Sequence, residues 1–546
     1  MTNNILRILP LGGLGEIGRN MMVYEYGEKL LIVDSGIMFP ENEMLGVDYI
    51  IPDMQYLVEK RDQVVGIIVT HGHEDHIGAI HHLLENVSAP IYATQLTRGL
   101  LEVKLARYKL LENTEINTVQ AGETRHIGPF QVEFFHMSHS IPDSVGLGIE
   151  TPAGLVVHSG DFKFDQTPVD NWPSDFAKLS EFSRRGVMAL MADSTNAEEP
   201  GWTPSERTVD AAFEQVFDQA PGRIIIASFA SLISRIQQVA NAAGNHGRKM
   251  AFAGTSMIEN SKMALKLGYL EIPDDVLISL DQALGMKNKK VVLMCTGTQG
   301  EPTSILGRLS TGTHRHIDIK EGDTVVLSSQ AIPGNEESVY RTINRLFQRG
   351  ANVIYERIAP VHVSGHASQD EIKLLLNLVR PKYFIPMHGE HRHLRASSQI
   401  AQQMGIPAEN IMLLENGHSV EFDSGRMQRG KKVPYSYVFV DGSVVGDVGP
   451  DVMNQREQLG ENGIVIVNLQ LDQNGKLIKN GLSMTSYGFM ASQEAEKVLA
   501  DAHQPLTDAL SGSSEDIEKS VFKALRTYLY SETRRRPRVF VNISQI

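Results

Sequence analysis

Residues 70–79 have the sequence THGHEDHIGA and carry the strongest functional signal in this chain. Four side chains that commonly bind metals fall within six positions: His71, His73, Asp75 and His76. Imidazole and carboxylate groups together suit borderline divalent ions, zinc first and manganese second. His71 and His73 point the same way on an extended segment, whereas Asp75 and His76 follow after a turn and can face a second ion. The motif therefore predicts two adjacent metal ions, an arrangement suited to hydrolysis of phosphoryl or acyl groups.

The motif directly follows the apolar run VVGIIV, residues 64–69. A short apolar run of this kind is typical of a buried strand. The metal-binding side chains are therefore predicted at the C-terminal end of a strand, where α/β proteins usually place their sites. A lone His pair would be weak evidence, since most histidines are not ligands, but three His and an Asp after a strand are far more specific.

The composition limits the class of protein. A chain of 546 residues is too long for one core and is expected to form roughly two to four domains. Its single cysteine, Cys295, excludes an intramolecular disulfide and a thiolate zinc finger. No run of 18 apolar residues predicts a membrane span, and the N-terminus lacks the pattern of a signal peptide. We therefore expect no membrane association and a cytoplasmic location.

Charge is unevenly distributed along the chain. The net charge of −14 argues against indiscriminate binding to nucleic acids. Residues 206–369 have a net charge of +1, whereas the remainder has −15. The middle segment is therefore predicted to be the least repulsive surface for a polyanion.

Three regions with different patterns precede residue 448. Residues 1–205 alternate short apolar strands with helices and predict layered mixed sheets. Residues 206–369 alternate strands and helices, which is typical of a mostly parallel sheet with helices on both faces. Residues 370–447 add a helix and a strand that ends in PMHGE.

The last part of the chain has a different character. Residues 448–462 are polar and predict a linker. Residues 463–546 predict a small α+β unit, with a hairpin turn at Gln473, Asn474 and Gly475.

One short motif suggests a different function. GLGEIG, residues 13–18, matches the dinucleotide fingerprint GxGxxG, but that fingerprint must open a helix. The following residues, MMVYEYGEKLLIVD, predict two strands instead. We therefore favour a tight glycine turn beneath the metal site.

A pair of metal ions needs more ligands than residues 70–79 supply. Three further candidates follow predicted strands: His139 after QVEFF, Asp161 after LVVHS, and His388 after KYFI. Strand ends are the positions from which a sheet can bring such side chains together.

The order of these motifs resembles the metallo-β-lactamase superfamily. HGHEDH, His139 and SGDF with Asp161 carry the resemblance, and Asp34 in IVDSG resembles the first motif, which supports the site. The resemblance implies one ion bound by three His, a second bound by one Asp and two His, and a bridging Asp. These sets are His71, His73 and His139; Asp75, His76 and His388; and Asp161.

The middle of the chain resembles the β-CASP branch of that superfamily, whose members act on nucleic acids. The matching motifs are Asp193 in MADSTN, HVSGH at residues 362–366 and PMHGE with His388. With GGLGEIGRN, FASLISRIQQ and GTQGEP, they resemble the bacterial ribonuclease J family from about residue 8 to about residue 450. The implied fold is an αββα metallo-β-lactamase sandwich interrupted by an α/β β-CASP domain. A small C-terminal domain, used for assembly into homodimers or homotetramers, would follow.

The same resemblance implies an activity. Members of the family are metal-dependent 5′-to-3′ exoribonucleases, with endonuclease activity as well, that act on 5′-monophosphorylated single-stranded RNA in RNA decay and maturation. His366 would be the general acid, kept protonated by Asp193, and Asp75 would be essential for turnover. The implied pocket for the 5′-phosphate consists of Phe229, Ser231, His362, Val363, Ser364, Gly365 and His366.

A structural cation is a further expectation. MLGVD (44–48) and FVDG (439–442) offer Asp441 and the carbonyls of Leu45 and Val47 as ligands for calcium, which some relatives bind. An ordinary contact between the two segments is the alternative.

Three other functions remain open from the sequence. A small-molecule hydrolase of the same superfamily would not need Asp193 or the HVSGH loop. The sequence does not distinguish a DNA-directed β-CASP nuclease from an RNA-directed one, because it does not identify a contact to the 2′-hydroxyl of RNA. A catalytically silent RNA-binding scaffold would be expected to lose metal ligands, and none is lost.

Overall fold

The computed structural model describes residues 5–41, 44–473, 476–511 and 516–545. The chain divides into two compact units, one formed by residues 1–41 and 49–438 and the other by residues 42–48 and 439–546. Each unit has its own hydrophobic core.

Two sheets form the centre of the first unit. One has eight strands, in the order Arg426–Lys432, His418–Asp423, Leu6–Gly12, Met21–Tyr26, Lys29–Val33, Val64–Val69, Ile91–Ala93 and Ile116–Thr118. The other has six, in the order Tyr383–Met387, Val187–Asp193, Gly154–His158, Val145–Thr151, Phe130–His136 and Thr124–Ile127. The strand predicted at residues 64–69 is confirmed, as are the two strands that follow GLGEIG.

The two sheets share one core. Alternate residues of each strand point inwards, as the two-residue period of a strand requires: Leu31 and Val33 pack in the same cluster as Phe134 and Leu147. Leu30 and Ile32 are also fully buried, so the outer face of the first sheet is covered as well. On the outer face of the second sheet, helix residues pack against strand residues in another cluster that includes Phe135, Val157, Phe182 and Leu375.

The segment of chain between the two parts that build this sandwich forms a separate parallel sheet. Its five strands run in the order Lys249–Phe252, Val291–Cys295, Ile224–Ala227, Thr324–Leu327 and Asn352–Ile354. The chain then returns to both large sheets, since Tyr383–Met387 pairs in parallel with Val187–Asp193 and His418–Asp423 pairs with Leu6–Gly12.

Short strands and helices complete the first unit. The remaining strands are Leu14–Gly15, Gly389–Glu390 and Tyr49–Ile51. The α-helices are Gln55–Glu59, Glu74–Ile77, Ile80–Leu84, Gln95–Arg107, Phe176–Arg185, Thr208–Gln219, Ile233–Asn245, Thr255–Leu267, Leu280–Leu284, Ile305–Thr311, Glu336–Gln348, Gln369–Val379 and His391–Gln403. The 3-10 helices are Arg61–Gln63, Leu111–Asn113, Asn288–Lys290 and Ala408–Asn410.

The second unit is a three-stranded sheet packed against helices. Its sheet order is Leu477–Tyr487, Ile464–Leu471 and Arg538–Gln545. Helices Ser492–Asp501, His503–Ser511 and Ile517–Thr533 belong to it, and Val467, Leu506 and Leu525 lie in its core. A two-stranded ladder joins Val438–Asp441 to Val444–Val445. Residues 448–462, expected as a linker, contain the helix Pro450–Asn462. The predicted turn is flanked by paired strands, but Asn474 and Gly475 lie outside the described residues.

Candidate active site

Three histidines form the first cluster at the strand ends. His71 and His73 follow the strand Val64–Val69, and His139 follows Phe130–His136. One nitrogen from each lies within 4.8 Å of the other two. Within the described part of the chain, buried His71 Nε2 has no hydrogen-bond partner. A buried polar atom without a partner is costly, and a metal ion bound by all three side chains would satisfy it.

The three imidazoles of this cluster have lowered pKa values, which favours binding of a cation. Burial lowers the pKa of His71 and His139 well below the ordinary value, and neighbouring imidazoles lower both further. Burial also lowers the pKa of His73, to about 4. All three imidazoles are therefore neutral near pH 7, which is the form that binds metals.

The second cluster contains two carboxylates and two imidazoles. Ligand atoms of Asp75, His76, Asp161 and His388 lie within 4.8 Å of one another. Asp161 Oδ2 is 3.1 Å from His76 Nε2 and 3.7 Å from His388 Nε2. The same oxygen is 3.6 Å from His71 Nε2 and 3.8 Å from His139 Nε2. Asp161 therefore lies between the two clusters.

The second cluster has the opposite electrostatic character from the first. Burial alone would lower the pKa of His388, but the charge of Asp161 outweighs it and raises the pKa to about 9. Burial would raise the pKa of Asp75 and Asp161, yet the adjacent imidazoles hold both below their ordinary value. The buried Asp161 and the half-buried Asp75 thus favour positive charge beside them, which divalent ions would supply.

Asp34 lies behind the second cluster. Its Oδ2 is 2.8 Å from His76 Nδ1 and also accepts a hydrogen bond from the Thr70 hydroxyl. The Thr70 amide donates to Oδ1 at 2.8 Å. This arrangement fixes the His76 ring through the nitrogen that does not face Asp161. Asp34 and His388 both have positive φ, at 63° and 51°, and such backbone strain persists where the surrounding structure imposes it.

His366 and Asp193 form a pair beside the clusters. His366 Nδ1 is 2.7 Å from Asp193 Oδ2, and the Thr195 amide donates to Asp193 Oδ1 at 2.9 Å. Burial would lower the pKa of His366, but the charge and the hydrogen bond of Asp193 outweigh it and raise the pKa. His366 therefore holds its proton to a higher pH than an ordinary histidine.

The HVSGH loop is attached directly to the first cluster. His139 Nδ1 donates to Gly365 O at 2.7 Å, which leaves its Nε2 to face the cluster. A Cβ atom at Gly365 would lie 2.5 Å from His139 Cε1, so glycine is required there. Asn196 Nδ2 and the His366 amide both donate to Ser364 Oγ, at 2.8 and 3.2 Å. The Ser364 hydroxyl proton must then point away from both donors.

The same loop is held from the other side by the parallel-sheet region. Arg235 Nη1 and Ser328 Oγ donate to Val361 O, at 2.8 and 2.6 Å. Arg235 pairs with the buried Glu206. Burial lowers the pKa of His362 to about 3, and the charge of Arg235 contributes, so His362 is neutral.

The other predicted pocket residues differ in burial. Val363 is buried, whereas Phe229 and Ser231 are half-buried. Phe229 and Ser231 follow the strand Ile224–Ala227 and precede the helix that carries Arg235.

Two of the predicted calcium ligands bind the side chain of Arg456. Arg456 donates to Leu45 O at 2.9 Å and to Asp441 Oδ2 at 2.6 Å. A guanidinium group therefore binds two of the three proposed ligand groups, and calcium could bind there only if Arg456 moved. The third proposed ligand is the carbonyl of Val47. The calcium site stays a prediction.

Several contributors were not found from the sequence. Asn196, Thr195 and Thr203 bind Ser364, Asp193 and the His366 carbonyl, respectively. Asn20 Nδ2 donates to Asp75 O at 3.1 Å. Asn20, Asn196 and Thr203 act through neutral side chains of common types, and Thr195 binds Asp193 through its backbone amide. The one local signal is that Thr195 and Asn196 follow Asp193 in the motif DSTN.

Comparison with known proteins adds independent evidence. Residues 14–198 match the metallo-β-lactamase superfamily, and residues 350–411 match the RNA specificity domain of zinc-dependent metallo-hydrolases. Residues 221–346 match the ribonuclease J β-CASP domain, and residues 451–546 match the ribonuclease J C-terminal domain. Ribonuclease J2 of Bacillus subtilis is 41% identical and aligns over 100% of this chain and 99% of its own length. This chain belongs to the ribonuclease J family. The predicted fold class, a metallo-β-lactamase sandwich with a β-CASP insertion and a C-terminal domain, is thereby confirmed.

Other relatives agree with this assignment. Ribonuclease J of Synechocystis is 42% identical over 98% of this chain and 86% of its own length, and that of Thermus thermophilus is 39% identical over 98% and 94%. A solved Enterococcus faecalis protein of unknown function, 14% identical with a TM-score of 0.55, covers 76% of this chain and 100% of its own, and shares the fold. Membership of the family makes this chain a metal-dependent ribonuclease. Among the described residues, none of the helices is both long and apolar enough to span a membrane.

Proposed function

We propose that this chain is a cytoplasmic 5′-to-3′ exoribonuclease that acts on 5′-monophosphorylated RNA in RNA decay and maturation, and that it also cleaves RNA internally. The observation that carries the proposal is the hydrogen bond between His139 Nδ1 and Gly365 O. It joins the HVSGH loop to a residue of the metal clusters, so a terminal phosphate bound by the loop would lie close to the scissile bond.

The loop has suitable chemistry for a phosphate. The Ser364 hydroxyl accepts from two donors and is left to donate its own proton outwards. His366 is cationic to a higher pH than usual. A donor and positive charge together favour an anion.

We propose that His71, His73 and His139 bind one ion, that Asp75, His76 and His388 bind the other, and that Asp161 bridges them. Two such ions, zinc first and manganese second, would supply activation of water and stabilisation of negative charge on phosphoryl oxygens. His366 donates the proton to the leaving 3′ oxygen. Because its Nδ1 is bonded to Asp193, the proton that is transferred is held at Nε2.

We also propose that the second unit joins copies of this chain into homodimers or homotetramers. Arg538–Gln545 is an edge strand, and it exposes Phe540 and Ile543. Unpaired edges with exposed apolar side chains favour association with another chain. Sedimentation of the full chain tests this proposal, and a monomer at micromolar concentration would contradict it.

The decisive test of the activity uses one RNA with a 5′-monophosphate and a 5′ label, incubated with the enzyme and zinc or manganese. We expect labelled mononucleotide as the first product, with slower release from RNA that has a 5′-triphosphate. Ser364→Ala is expected to reduce this preference, whereas Ser180→Ala, which removes an exposed helix hydroxyl, is the matched control. Labelled products that are all longer would contradict the exonuclease. Equal cleavage of the DNA of the same sequence would favour the DNA-directed alternative, and binding without turnover would favour the scaffold.

A further inference from the structure

An exposed tryptophan lies on a loop beside the active site. Trp172 is 42% exposed, yet one face of its indole stacks on His136, with ring centroids 3.9 Å apart and planes 5° apart. His136 is the last residue of the strand that leads to His139. Since the second face of the indole is not covered by His136, the ring is a flat apolar platform close to the metal clusters.

The loop that carries Trp172 is fixed in place. Ser138 Oγ donates to Trp172 O at 3.3 Å, and the Ser138 amide donates to Ser174 Oγ at 2.8 Å. His136 Nδ1 is 3.0 Å from Pro173 O, and the Trp172 amide donates to Asp170 Oδ1 at 3.0 Å. Binding to a platform that is already ordered loses little conformational entropy.

A cation is fixed to the same loop. Arg207 Nε donates to Thr167 O at 3.0 Å, and Nη2 donates to Asn171 Oδ1 at 2.5 Å and to Pro168 O at 3.3 Å. All three acceptors are uncharged, and although the charge of Arg207 also acts on Asp210, the exposed guanidinium forms no ion pair within 4.0 Å among the described residues. It can therefore bind an anion. An aromatic face on the loop and a guanidinium hydrogen-bonded to the same loop match the base and the phosphate of a nucleotide.

A cleft connects this loop to the active site. It is lined by His139, Ser138, Ser234, Asp165, Asp170 and Glu206. Two of its three carboxylates are compensated within the protein: Glu206 pairs with Arg235, and Lys163 Nζ lies 3.7 Å from Asp165. The carboxylates therefore repel a polyanion less than their number suggests.

We propose that Trp172 and Arg207 form a subsite for single-stranded RNA, in which a base stacks on the free face of Trp172 and a backbone phosphate binds Arg207. The proposal rests on the proposed ribonuclease function. The subsite lies outside the HVSGH loop, and it would bind the RNA by base stacking and by charge, independently of the RNA sequence.

Fluorescence gives a direct test, because the chain has only two tryptophans. In the Trp202→Phe variant, Trp172 is the sole indole, and titration with a phosphorothioate RNA that resists hydrolysis should quench its emission. Adding Trp172→Ala should raise the Kd, followed by anisotropy of a labelled RNA, about tenfold, whereas Trp172→Phe should stay within about threefold. Unquenched emission together with an unchanged Kd for Trp172→Ala would overturn the proposal.

The salt dependence tests Arg207 separately. Loss of one phosphate contact should reduce the slope of log K against log salt by about 0.7 in Arg207→Gln, with no change of slope in Trp172→Ala. Arg341→Gln, on an exposed helix pair with Glu337, is the matched control and should leave slope and Kd unchanged. If the parent cleaves 5′-monophosphorylated RNA while these variants bind normally, only the subsite is wrong. If the parent neither binds nor cleaves RNA, the proposed function fails and the subsite with it.

Discussion

His366 Nδ1 lies 2.7 Å from Asp193 Oδ2, although 173 residues separate them in the chain. Asp193 ends a strand of the six-stranded sheet, and His366 lies in the loop that follows the parallel-sheet region. The pair therefore depends on the return of the chain to the sheets, and it brings the His366 imidazole to the edge of both His and Asp clusters.

The first prediction concerns this pair. Because Asp193 raises the pKa of His366, the acid form persists to higher pH, and activity should fall only as pH rises through that raised pKa. Asp193→Asn removes the charge, so the alkaline decline of kcat should move to lower pH. The pH profile of single-turnover cleavage measures this shift. Asp423→Asn, at an exposed position, should leave the profile unchanged, and an unshifted profile in Asp193→Asn would contradict the proposed acid.

The second prediction removes the acid itself. His366→Ala should lower kcat about 10²–10⁴-fold, the usual contribution of a general acid. The bound metal, measured by mass spectrometry, should stay near the level of the parent. A variant that loses its metal together with its activity would instead place His366 among the ligands, since its ring nitrogen lies within ligand distance of His139 and Asp161.

The third prediction concerns the metal ligands. Asp75→Ala should abolish turnover, and removal of metal by a chelator should do the same, while circular dichroism stays that of the folded chain. Asp75 is next to His76 in the second cluster, so its loss removes a charge that would bind an ion. The control is Asp62→Ala, at an exposed position just before the strand Val64–Val69 that leads to Asp75. Full activity of Asp75→Ala would refute the two-ion proposal.

The fourth prediction uses the close approach of the HVSGH loop. In Gly365→Ala, the added Cβ would meet His139 Cε1 at 2.5 Å, so either the loop or the imidazole must shift. We expect weaker metal binding and a fall in activity of at least about tenfold, because misplacement of about 1 Å at a reacting centre is costly. Gly449→Ala, where a Cβ meets open space, should behave like the parent. Normal metal content and activity in Gly365→Ala would show that the contact is dispensable.

The fifth prediction concerns stability. Arg235→Gln would remove the guanidinium that pairs with the buried Glu206 and leave Lys163, whose Nζ is 3.6 Å from Glu206 Oε2, as the remaining cation. Loss of one partner of a buried pair costs up to about 3–5 kcal/mol. Chemical unfolding should therefore show a large loss of stability. Disruption of the exposed pair of Arg341 and Glu337 should cost less than about 1 kcal/mol. Similar losses in both variants would mean that Arg235 is not a structural link between the loop and the parallel-sheet region.

Local sequence was sufficient for the features that depend on neighbouring residues. HGHEDH places four candidate ligands in one turn after a buried strand, and apolar patterning identified that strand because side-chain periodicity is a local property. Motif order along the chain then indicated the family, which the comparisons confirm. Their positions at strand ends made His139, Asp161 and His388 candidates, but each is a single residue, and only the resemblance assigned them to ligand sets.

Contacts between distant segments required the folded chain. The pairing of Tyr383–Met387 with Val187–Asp193 brings His388 to Asp75 and Asp161, and no local pattern specifies that pairing. No local pattern specifies the hydrogen bonds of Arg456 to Leu45 and Asp441 either, or the stacking of Trp172 on His136. Common side chains acquire these roles from position alone, because hydrogen bonding, burial and stacking depend on distances that only tertiary packing sets.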